Sequence, residues 1–115
     1  MKTVNVYGKE IECYQEADLG KITGPANSAA IEWSKECRKT YERIGDSGSC
    51  VLGAGIEIPF LRPRAKYPTY KMIISASHVC PWQGSCVWEE SVKKILALLE
   101  SLGVKGARYN CGRMD

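Results

Sequence analysis

Apolar residues recur along this chain in two helical rhythms set between stretches of alternation. Ala26, Ala30, Trp33, Cys37, Tyr41 and Ile44 return at three- and four-residue steps. Glu32, Lys35, Glu36, Arg38 and Lys39 fill the other faces, which predicts an amphipathic helix over 27–44. Asn27 or Ser28 caps it, Gly45 stops it, and Asp46-Ser47-Gly48-Ser49 reads as a turn. Trp88, Val92, Ile95, Leu99 and Leu102, widened by Leu96, predict a second helix over 86–102. Ser85 is its cap, Glu89 and Glu90 suit the positive end of its dipole, and Gly103-Val104 predicts a Schellman ending.

The strands are read from alternation. Residues 3–14 carry Val4, Val6, Ile11 and Cys13, interrupted at 7–10, so they form a small hairpin or one bulged strand. Residues 15–25 are polar, and Gly20, Gly24 and Pro25 mark a loop. Residues 50–60 predict a strand with Leu52, Ala54, Ile56, Ile58 and Phe60 on one face and Gly53, Gly55 and Glu57 on the other. Pro63 and Pro68 bracket a basic loop. The next strand places Tyr70, Met72, Ile74 and Ala76 toward the helices and Lys71, Ile73 and Ser75 away from them. Residues 105–111 form the last strand.

Each helix has one apolar stripe, so both need the same sheet or each other. The order strand-helix-strand-strand-helix-strand predicts an α+β, ferredoxin-like βαββαβ two-layer sandwich: an antiparallel four-stranded sheet with two helices on one face. The 115 residues suit a single α+β domain, 1–115. That fold hosts many functions and assigns none.

Composition narrows the picture modestly. With 44% hydrophobic and 25% charged residues the chain is ordinary for a soluble protein. A net charge of +3 leans toward acidic partners without the basic stripe of a nucleic-acid binder. No apolar run reaches the roughly 18 residues of a membrane span, and the first residues lack a leader's apolar core, so the expectation is cytoplasmic, with reduced thiols.

Three places carry candidate chemistry. In the predicted topology one end of the sheet gathers the start of the first helix, with its free amides, and Arg62 and Arg64, with Lys21 and Lys66 adding charge; this suits an anion. The other end gathers Cys50, His78, Cys80, Cys86 and Cys111. Strand parity puts Cys50, His78 and Cys111 on the helix side. The cluster has the donor types for zinc, but the spacing between Cys80 and Cys86 is loose and no second knuckle exists. Cys86 at a helix start with His78 as base is the nucleophile alternative. The plainer expectation is that Cys13, Cys37, Cys50 and Cys111 are small buried apolar residues, with Trp82 and Trp88 covering a loop and filling the core. The open sheet face, bare at Gly53 and Gly55 and decorated by Glu57, Lys71, Ser75, Arg108 and Asn110, suits a small ligand or a homodimer. It offers no aromatic platform for RNA, because Tyr70 is placed toward the helices.

The leading expectation is a binding module for an anionic small molecule or an acidic protein partner, with no chemistry, metal or cofactor of its own and no nucleic acid or membrane as partner. Arg62, Arg64 and Lys66 supply the charge, with Lys71 and Arg108 as secondary contacts. The alternatives are a thiol-dependent enzyme or zinc protein using His78, Cys80 and Cys86, and a scaffold or inhibitor acting only through a protein interface.

Overall fold

The computed structural model describes residues 1–45, 51–80 and 85–114. The expected turn at 46–49, Cys50 and the segment 81–84 with Trp82 lie outside the described residues. Helix and strand are mixed as expected, but the four-stranded sheet is not formed. Instead β4 (Gly55–Phe60) stands between β5 (Thr69–Ser75) and the short β6 (Arg108–Asn110) in a three-stranded antiparallel sheet. Two separate strand pairs join β1 (Lys2–Val6) to β2 (Lys9–Cys13), and β3 (Val51–Leu52) to β7 (Arg113–Met114).

The chain's first segment leaves the sheet because it satisfies itself. Val6 faces Lys9 across a two-residue loop, Tyr7-Gly8, in which φ is +50° and +84°. Two positive φ values in a row give the turn whose twist matches a hairpin, and the Gly8 N–H donates to Asn5 Oδ1 at 3.0 Å. Tyr14 is the residue that bonds it to the sheet. Its N–H donates to the Pro59 carbonyl at 2.9 Å and its carbonyl accepts from Leu61 N–H at 2.8 Å.

The first long helix, α1 (Leu19–Ile44), begins eight residues before the expected Asn27, after a short 3-10 turn at Glu16–Asp18. Gly20, Gly24 and Pro25 were expected to hold a loop there; they lie inside the helix. Proline in a helix costs about 3 kcal/mol. Burying Ile22 returns roughly 1.5–3 kcal/mol, and Ala26 and Ala29 add to it. The buried stripe accordingly runs Ile22, Ala26, Ala29, Trp33, Cys37 and Thr40, while Ile44 is exposed. Gly45, at φ +74°, ends the helix and donates to the Tyr41 carbonyl at 2.8 Å.

After β5 comes one turn of helix, α2 (Ala76–Val79), and then α3 (Ser85–Ser101). Val87, Trp88, Ser91, Val92, Ile95 and Leu99 are its buried face. The expected ending is present: Val104 N–H reaches the Leu99 carbonyl and Gly103 N–H the Glu100 carbonyl, and Val104 is buried. The two long helices pack on each other, and salt bridges Arg43–Glu90 (3.4 Å) and Lys94–Glu36 (3.5 Å) span them.

A bulge resets one face of the sheet. Ile56 pairs with Ile74 but Glu57 pairs with Met72, leaving Ile73 as the extra residue. Every residue before it on β5 therefore changes side. Tyr70 and Met72, expected toward the helices, share the open face with Glu57, and Lys71 lies on the helix side as the partner of Ile58.

Candidate functional site: a charged loop and an open strand edge

The expected site residues fall into three separate places. Arg62, Arg64 and Lys66 are exposed on the loop 61–68 that joins β4 to β5. A turn closes there from Ala65 N–H to the Arg62 carbonyl, 3.0 Å. Arg64 has φ +67°, a conformation that costs a residue with a Cβ about 1 kcal/mol. Among the described residues none of the three has an acidic partner, whereas Arg43, Lys93, Lys94, Lys105 and Arg108 each reach a carboxylate. In the same loop Tyr67 stacks on Tyr7 of the hairpin tip, ring centroids 6.4 Å apart.

Lys71 does not join that group. Its ammonium lies 5.5 Å from the centre of the Phe60 ring, on the helix side. Arg108 lies on the opposite face and is already engaged. Its Nε donates to Glu57 Oε1 at 2.8 Å, its guanidinium lies 3.3 Å from the Tyr70 ring centre, and Asn110 donates to Glu57 Oε2 at 3.3 Å. Glu57 is buried, so Arg108 and Asn110 are what keep its charge satisfied. The strip expected to be bare is filled at Gly55, where a Cβ would meet the Ile74 carbonyl and, at 2.9 Å, the Met72 sulfur. The ground for setting RNA aside on this face also fails, since Tyr70 and Arg108 stack there.

The anion cradle expected at Asn27 is absent, because those amides lie inside α1. At the true helix start, Asp18 already accepts from Gln15 N–H (2.9 Å) and from the Met1 ammonium (3.2 Å). These bonds, the Gln15 one foremost, hold its carboxyl below the ordinary value.

The thiol cluster is also rearranged. Cys37 and Cys80 form a disulfide, Cα atoms 5.9 Å apart, which corrects the expectation that both are free thiols and removes Cys80 from any metal or nucleophile role. His78 is exposed on α2 and not on a strand; Cys86 and Cys111 are exposed. Cys111 is thus not a core residue. Cys13 is buried, and burial pushes its thiol up. Among the described residues no group of three or more His, Cys, Asp or Glu is placed to hold a metal. None of the described helices is long and apolar enough to cross a membrane.

One feature escaped the sequence pattern. Leu19, Ile22, Thr23 and Ala26 of α1 and Lys71, Met72 and Ile73 of β5 line a groove of about 270 Å³. It opens beside β5, the edge of the sheet. Reading 15–25 as loop hid it, although Leu19, Ile22 and Ala26 already stand at helical spacing. No protein-family model, curated protein or solved structure matches the chain.

Proposed function

We propose that the chain is a binding module for an acidic protein partner, held through Arg62, Arg64 and Lys66, with no chemistry of its own. The supporting observation is a loop with three exposed cations and no acidic partner among the described residues. The loop also holds Arg64 in a left-handed conformation. Strained backbone of this kind clusters at binding and switch sites. Exposed cations on a projecting loop suit the surface of another protein better than an enclosed small molecule. The nearby Tyr7–Tyr67 stack adds rigid contact area at little entropic cost.

Fluorescently labelled poly-glutamate tests the charge preference directly. Anisotropy should report binding that weakens as salt rises, and Arg62→Glu with Arg64→Glu should abolish it with the fold intact by circular dichroism. Binding that is absent, or equal in the double variant, removes this function.

A further inference from the structure

We infer that the outer edge of β5, with the groove beside it, takes an extended acidic peptide of another protein as an added strand. The inference goes beyond the charged loop and stands without it. Among the described residues β5 has a strand partner on one side only. Which of its backbone groups face outward follows from Pro59. That residue has no N–H, and its carbonyl accepts from Tyr14, on the side away from β5. Pro59 and its opposite residue Tyr70 therefore exchange no ladder bonds. By alternation the same holds for Glu57 and Met72. The N–H and C=O of both Tyr70 and Met72 thus point to the free edge, where no described residue accepts from or donates to them.

An extended chain is what such an edge binds. Its alternate side chains then enter the groove between α1 and β5, whose walls include Ile22, Ala26 and Ile73. Among the described residues that line the groove Lys71 is the charged one, which selects an acidic side chain at the rim. The same lysine opposes a second copy of this chain as occupant. In the antiparallel self-pairing that satisfies both Tyr70 and Met72, Lys71 falls opposite the Lys71 of the other copy, and facing like charges are destabilising.

Selection from a phage-displayed library of random peptides tests this. The expected consensus alternates apolar positions with at least one acidic residue, and the synthesised peptide should bind the full chain in anisotropy. Met72→Pro removes one outward N–H without touching a ladder bond, and should weaken binding by about tenfold or more. Thr23→Trp, at an exposed helix position lining the groove, should do the same where Met72→Pro fails to fold. Selected peptides that bind both variants like the wild type overturn the proposal. So does a wild-type dimer in sedimentation that Met72→Pro converts to monomer, since the edge is then held by a second copy.

Discussion

Trp33 and Ser91 join the two long helices by a buried hydrogen bond, indole Nε1–H to Oγ at 2.9 Å. The serine hydroxyl in turn donates to the Val87 carbonyl at 2.6 Å, and Cys37 Sγ lies 3.4 Å from the same oxygen. One small polar atom therefore satisfies one of the two buried indoles among the described residues. Ser91→Ala leaves the indole N–H buried without an acceptor and should cost about 1–3 kcal/mol in urea denaturation. Trp33→Phe in the Ser91→Ala background should then cost less than in the wild type. Additive losses in that double-mutant cycle would show that the bond contributes nothing.

The Cys37–Cys80 disulfide closes a sequence separation of 43 residues. A loop of that length removes enough unfolded-state entropy to stabilise by roughly 4 kcal/mol. Reduction, or Cys37→Ala with Cys80→Ala, should lower the denaturation midpoint accordingly. Alkylation of the unreduced, denatured protein followed by peptide mapping should leave these two positions unlabelled. Labelling at both positions would refute the pairing.

Glu57 has Arg108 and Asn110 as its partners. Arg108→Ala leaves a buried carboxylate with one weak donor and uncovers the Tyr70 ring. Because the Arg108 side chain is itself half exposed, the loss should be about 1–2 kcal/mol, below that of a fully buried pair. Glu57→Gln in the Arg108→Ala background should recover part of it, read by thermal unfolding.

The Tyr109 and Trp33 rings meet near-perpendicular, 6.4 Å between centroids, and the Tyr109 hydroxyl is buried with no hydrogen-bond partner among the described residues. Burial, aided by the charges of Glu89 and Cys111, pushes its pKa from 10.0 to about 12. A phenol whose folded pKa is raised contributes stability that is whole below pH 10 and is lost as pH rises toward 12. In an ultraviolet titration one tyrosine should ionise at about pH 12, and Tyr109→Phe should remove that step. Tyr109→Phe should leave stability at pH 7 unchanged or slightly higher, since it removes an unpaired buried hydroxyl. A large loss in the phenylalanine variant would mean that the hydroxyl has a partner.

Local signals were readable and long-range ones were not. Gly45 and Gly103 end their helices as the pattern predicts, because a helix stop depends on one backbone conformation. The β4–β5 hairpin is likewise found, since short-range alternation specifies it. Pro25 misled because a local rule was overridden by the burial of Ile22, Ala26 and Ala29. The bulge at Ile73 reversed Tyr70, Met72 and Lys71 at once, and nothing in the alternation of 70–76 reveals an extra residue. The pairing of Cys37 with Cys80 is one of the 15 possible pairs among six cysteines, and spacing does not select it. Of the expected site, Arg62, Arg64 and Lys66 were legible as neighbours in sequence. Lys71 and Arg108 were grouped with each other only by the sheet register that proved wrong.

Tyr14 is the rivet of this molecule. Its amide and carbonyl hold Pro59 and Leu61, and its hydroxyl accepts from Lys105 N–H at 2.7 Å, tying the chain's start to the approach of its last strands. The two-stranded arm beyond it hangs from that fastening. Lengthening or trimming the arm at its Tyr7-Gly8 tip leaves the interior alone, whereas a change that dislodges Tyr14 removes both backbone bonds to the sheet and leaves the arm only the Glu12–Lys105 pair and the Tyr7–Tyr67 stack.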